Sequence, residues 1–143
     1  MQRNGTRPQV TDFIELDGVK LTFSDIWSVV NEFYGRVAVD PMLAEPFGSV
    51  KDWPHHVERL THFWWIRLGG RPYLEGVYNP VEKHFQAGFN LSLLQRWLGL
   101  FQETQKKLLT EAQAMLWMEI AEAMGQALFM KNEQYAQYVK MVT

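Results

Sequence analysis

The chemistry open to this 143-residue chain is narrow, because it has four histidines and no cysteine. Without cysteine there is no disulfide, no thiolate zinc knuckle and no thiolate nucleophile. The histidines are His55, His56, His62 and His84. A zincin would need His-Glu-x-x-His on one helix, and the chain has none. A di-iron bundle would need two Glu-x-x-His pairs, and no glutamate has a histidine three residues on. Glu58 and His62 lie four apart, within reach of one shared ion, although that spacing more often makes a plain surface pair. No Gly-rich phosphate loop and no Gly-x-Ser-x-Gly elbow occurs, and Gly69-Gly70 reads as a helix stop.

One chemistry survives that needs a single imidazole, an apolar slot and little else. A haem is a flat, largely apolar disc whose iron takes one protein nitrogen on its proximal face. The missing cysteines exclude covalent c-type attachment and thiolate ligation. Nine Phe, five Tyr and six Trp supply ample apolar surface for such a slot. Composition leaves this open without selecting it, since a lone histidine in such a chain is more often a structural residue.

The elements that would position these residues are helical throughout. Thr22 with Asp25 makes a capping box, and Ile26, Val29, Val30, Phe33 and Val37 follow as one stripe. Asp40-Pro41 stops that helix. A second start between Ser49 and Asp52 opens a helix bearing Trp53, Val57, Leu60, Trp64 and Leu68, ended by Gly69-Gly70. Arg71 to Asn79 reads as a loop, and Asn79-Pro80-Val81-Glu82 caps a short helix that Gly88 breaks. Leu94, Trp97, Leu98, Phe101, Gln105 and Leu108 mark a long helix. Thr110 with Gln113 caps the next, with Leu116, Ile120, Ala123, Met124 and Leu128 on its stripe. No window shows strand alternation supported by turn chemistry. The expectation is one all-α domain over residues 13–143 behind a flexible tail of residues 1–12, with four substantial helices and two or three short ones.

Charge narrows the partners. Fourteen Lys and Arg against sixteen Asp and Glu leave a net charge of -2, which gives no basic footprint for nucleic acid. The longest uncharged stretch, Phe85 to Gln95, has 11 residues and cannot span a bilayer. The basic N-terminus lacks an apolar h-region, so the expected location is the cytoplasm.

The order of motifs adds a family. Phe33-Tyr34-x-Arg36-Val37-x-x-Asp40-Pro41-x-Leu43, then Phe47, resembles the second helix and following corner of a truncated haemoglobin. Trp53-Pro54-x-His56-Val57 and Phe63-Trp64 resemble that family's distal helix. Leu68-Gly69-Gly70 and Tyr73 resemble the approach to the proximal loop. His84, and then Arg96-Trp97-Leu98-x-Leu100-Phe101, resemble the proximal histidine and the next long helix. The likeness runs from about Phe23 to Leu128. No single element is specific, whereas their ordered combination is. A histidine at 56 and the Phe63-Trp64 pair favour group III, while Gly69-Gly70 and Trp97 also suit group II. Two departures touch the proximal loop. Gly76 to Lys83 is longer than group III leads one to expect, and Phe85-Gln86-Ala87-Gly88-Phe89-Asn90 replaces a proline-rich turn.

The resemblance implies a two-over-two helical sandwich around one b-type haem (iron protoporphyrin IX). It makes His84 the proximal iron ligand, and Tyr34 and Trp97 donors on the distal side. His56 rather than His55 becomes the distal histidine, and Phe47, Leu60 and Phe63 apolar wall. Each side chain also has a plainer reading, in core packing or, for His55 and Arg59, in solvent. The implied function is binding of O2 and of CO or NO. Redox turnover of NO, nitrite or peroxide would require a separate electron donor, for which this chain holds no reductase segment. Two other classes remain: a haemless helical interaction domain that keeps the pattern as core, and a dedicated haem peroxidase or NO dioxygenase.

Overall fold

A computed structural model describes residues 6–48, 50, 52–75 and 90–142. Its helices are α1 (Phe23–Val37), α2 (Trp53–Arg67), α3 (Leu91–Leu108) and α4 (Glu111–Val142). Each begins where a side chain satisfies backbone donors that the first turn leaves open. At α1, the Asp25 N–H donates to Thr22 Oγ1 at 2.9 Å and the Thr22 N–H donates to Asp25 Oδ2 at 3.0 Å. At α4, Gln113 and Thr110 exchange the same pair of bonds at 3.2 and 3.0 Å. Asp52 caps α2 by accepting from the His55 N–H at 3.1 Å, and Asn90 caps α3 by accepting from Leu93 at 2.9 Å. The second helix thus starts at the last residue of the expected window; Ser49 lies outside the described residues.

The stripe read on α1 is the face it buries: Ile26, Val29, Val30, Phe33 and Val37 are all inaccessible to solvent. That face packs on α2 and α3, and α3 packs in turn on α4. One aromatic ring from each helix meets at the centre. Phe101 of α3 lies 4.7 Å from Phe33 of α1, 5.8 Å from Trp64 of α2 and 5.5 Å from Trp117 of α4, between ring centroids. Such pairs contribute about 0.5–1.5 kcal/mol each beyond their burial.

The hydrophobic periodicity did not reveal a β-hairpin ahead of α1. Strands β1 (Phe13–Leu16) and β2 (Val19–Thr22) pair antiparallel, Ile14 opposite Leu21, around Asp17-Gly18. Both loop residues have positive φ, 49° and 77°, as a two-residue hairpin turn requires. Ile14 and Leu21 bury one face, and the Gln113 side-chain amide ties the hairpin to α4 through the Lys20 carbonyl at 2.8 Å. The dominant architecture is all-α, with this ribbon added. The segment 7–12, expected within a loose tail, also makes contacts with the body. Arg7 pairs with Glu58 of α2, and the Asp12 carbonyl accepts from the Phe23 N–H at 2.7 Å.

Two corners fix how the helices face one another. After α1, buried Asp40 accepts the N–H groups of Met42 and Leu43 through Oδ2 at 3.0 and 3.1 Å. Its Oδ1 takes Arg96 of α3, through Nε at 3.0 Å and through Nη2. The Arg96 guanidinium holds the Asp40 carboxyl below its usual range, as do the two backbone donors. After α2 the chain turns at Gly69, φ 116°, and Gly70 lies close against the Trp65 ring. A Cβ at Gly70 would sit 2.3 Å from that indole.

Candidate functional site

Tyr34 lies in the last turn of α1, at the edge of the buried stripe and 5% exposed. Three rings from two further segments stand around it. His56 of α2 meets it edge-on at 5.5 Å, Phe47 of the corner after α1 lies at 6.0 Å, and Trp53 of α2 at 6.2 Å. Trp53 and His56, one turn apart on α2, are themselves 5.5 Å apart. Trp97 comes in from α3, its ring 5.0 Å from Phe33 and 4.9 Å from Phe101. Of the seven site residues named from sequence, Tyr34, Phe47 and His56 therefore share one cluster, and Trp97 borders it through Phe33.

Leu60 is buried on the same helix as His56, one turn further on. Phe63 is half-buried and rests on Trp64 at 5.4 Å. His84 lies outside the described residues, together with the capped turn Asn79–Glu82 expected to hold it.

The two adjacent histidines part as successive residues of a helix must, by about 100°. His55 is exposed, whereas His56 is half-buried with Nε2 shielded from solvent. Among the described residues, no acceptor meets the buried indole Nε1 of Trp97, as none meets that of Trp117 in the core. A buried N–H without a partner costs about 1–3 kcal/mol, so such a group marks a place where an acceptor belongs.

Glu58 and His62 do not form the plain surface pair that their spacing suggested. Glu58 takes a two-pronged bond from Arg7, at 2.8 and 3.1 Å. His62 turns its Nε2 to the chain beyond the diglycine, accepting the N–H groups of Tyr73 and Leu74 at 3.0 and 3.2 Å. Burial lowers the His62 pKa from its ordinary 6.5, partly opposed by the Glu58 charge. Spacing could not announce this role, because the partners are backbone groups 11 and 12 residues away. Among the described residues no group of His, Asp and Glu could hold a metal ion. No helix described is long and apolar enough to cross a membrane.

The arrangement of two helix pairs, α1 with α2 and α3 with α4, is the two-over-two sandwich of a truncated globin. It superposes on the crystal structure of a group III truncated hemoglobin from Campylobacter jejuni with a TM-score of 0.65. The superposition covers 76% of this chain and 89% of that one, at 20% sequence identity. Comparison of the sequence with protein-family models and with curated proteins gives no match.

Proposed function

We propose that this chain binds one b-type haem with His84 as proximal ligand and uses it to take up O2, CO and NO. The observation that carries the reading is the buried, unpartnered indole N–H of Trp97 beside the Tyr34 cluster, within a truncated-globin fold. The residues fit the group. A neutral histidine nitrogen suits haem iron, and a phenol, an imidazole and an indole suit a polar distal face lined by Phe47, Leu60 and Phe63.

The haem supplies an iron that accepts a diatomic ligand. Tyr34 and Trp97 would offer hydrogen-bond donors on the distal side, and His56 a third polar group. A hydrogen bond to charge is worth about 1.5–3 kcal/mol, so two or three donors slow the escape of a ligand that draws negative charge. Such a protein delivers oxygen poorly. It suits retention, or turnover of NO, nitrite or peroxide with electrons from a separate donor in the cytoplasm.

Absorption spectra of the purified chain in ferric, ferrous and CO-bound forms test the proposal. A Soret band that His84→Ala abolishes and His55→Ala leaves intact is the expected result. A colourless chain that takes up no added haem would instead make the fold the scaffold of an interaction domain.

A further inference from the structure

Two backbone amides converge on one ring nitrogen at His62, and that geometry dictates a protonation state. Amide N–H groups only donate, so Nε2 must present its lone pair and Nδ1 must carry the single ring proton. An imidazolium has no lone pair left to offer. We propose that His62 is an acid-released clasp, whose unprotonated Nε2 holds the backbone of Tyr73 and Leu74 against α2 and lets go when the ring is protonated.

The surroundings suit such a device. The imidazole stands edge-on to the buried Tyr73 ring at 4.6 Å, and Tyr73 leans on Phe23 at 5.8 Å. Among the described residues, Glu58 is the charge that acts on the ring. Glu58 is one turn back on α2 and is neutralised by Arg7 from the N-terminal segment. Arg59 is half-buried on α2, and Arg71 and Glu75 are exposed on the clasped segment. The Tyr73 phenol is pushed above its ordinary range by burial first and by Glu58 second, so it stays neutral throughout. Burial likewise favours the neutral imidazole, so the clasp is closed above the ordinary value of 6.5 and opens as pH falls through the lower folded value.

The consequence rests on the haem reading. Glu75 is nine residues before His84, so the clasp fixes the point from which the chain departs toward the proposed iron ligand. His62 is then a positioning residue, and acid loosens the approach to the proposed proximal ligand.

Hydrogen exchange at the Tyr73 and Leu74 amides of the purified full chain tests this, measured with and without haem from pH 8 to 5. The Leu68 amide, bonded to the Trp64 carbonyl within α2, serves as the reference. Protection relative to intrinsic exchange should fall by up to about tenfold per pH unit as pH drops from 6.5 toward the lower folded value, at residues 73 and 74 alone. His62→Gln, which offers a carbonyl acceptor that does not titrate, should keep protection at pH 5, and His62→Ala should lack it at every pH. Protection that does not change with pH would overturn the clasp, as would simultaneous loss at Leu68 or a His62→Gln profile like the unsubstituted chain's. The amide result does not depend on haem, so failure of the haem reading appears separately, as a missing Soret band.

Discussion

The two sides of α2 are held by different physics. Toward α1, His56 and Trp53 join an interlocked set of rings around Tyr34, and the corner behind it is tied to α3 by Asp40 and Arg96. Toward the diglycine exit, the chain at Tyr73 and Leu74 is held by hydrogen bonds to one imidazole. The packing of Tyr34, Phe47 and Trp53 uses no lone pair that acid could take, and a carboxylate pair persists until the carboxylate is protonated. A histidine acceptor begins to fail below its ordinary 6.5, and a carboxylate only below its ordinary 3.8. Acid that frees the chain at Tyr73 and Leu74 therefore leaves the Tyr34, Phe47 and Trp53 packing without a direct cause to loosen.

The largest effect is expected where the two sides meet. Gly70→Ala would place a methyl group 2.3 Å from the Trp65 ring, a position that only movement of the indole or of the turn can relieve. Trp65 packs on Phe23 at 5.3 Å, and Phe23 also supports Tyr73, so the strain falls on the diglycine side. Overpacking of this kind costs about 1–3 kcal/mol. Chemical denaturation should report a loss in that range for Gly70→Ala, while the surviving folded protein keeps its CO-bound spectrum. An altered spectrum with unchanged stability would mean the sides are not independent.

Acid should divide the molecule in the same way. The His62 contribution is present above pH 6.5 and is lost as pH falls through the depressed folded value. The Asp40 contribution is present above the ordinary 3.8 and is lost only as pH falls further, because Arg96 and two backbone donors hold its carboxyl lower. Two separate acid steps are therefore expected. The first is local, seen by Tyr73 fluorescence or exchange, and the second is global, seen by far-ultraviolet circular dichroism. Asp40→Asn should lower stability at pH 7 and remove the second step's dependence on this carboxyl. One merged transition above pH 5 would show that the ion-paired corner is no more durable than the clasp.

What the sequence disclosed follows from the range of each interaction. Helix starts were legible because a cap is a local bond across three residues: Thr22 with Asp25 and Thr110 with Gln113 formed as spaced. The α1 face was legible because burial obeys the helical period. The hairpin escaped because each strand has four residues, too few for alternation to show, although Asp17-Gly18 is a strong hairpin turn signal. The Asp40–Arg96 tie spans 56 residues and the Arg7–Glu58 pair 51, and no spacing rule reaches that far. Tyr34, Phe47 and His56 could be gathered only through the ordered resemblance to a family, which carried the long-range geometry that periodicity lacks.

On the distal side, Tyr34→Phe removes one hydroxyl and leaves the ring stack with His56, Phe47 and Trp53 in place. If its hydrogen bond to the ligand is charge-assisted, at about 1.5 kcal/mol, O2 should dissociate roughly tenfold faster. CO carries little charge and should leave at nearly its original rate. Stopped-flow measurement of both ligands decides the matter. Equal acceleration of the two would assign Tyr34 a steric role and leave Trp97 as the principal donor.

The smallest effect concerns the two histidines at the start of α2, and it tests the rotation of that helix most finely. His56 meets the Tyr34 ring at 5.5 Å with its Nε2 shielded, while His55 is exposed and is engaged through its backbone N–H by Asp52. A neutral imidazole makes a weaker bond to a ligand than a charge-assisted phenol, so His56→Leu should change O2 dissociation by about threefold. It should also shift the ferric spectrum, because a polar ring packed against Tyr34 is gone. His55→Leu should do neither, since its side chain projects into solvent. The helix is fixed against rotation by Val57, Leu60 and Trp64, all buried, so the two positions cannot exchange places without exposing that face. The reverse pattern would mean that α2 is turned by one residue when haem is bound, and Leu60 would then leave the proposed wall. Silence from both substitutions would leave the distal chemistry to Tyr34 and Trp97 and draw the chain toward group II.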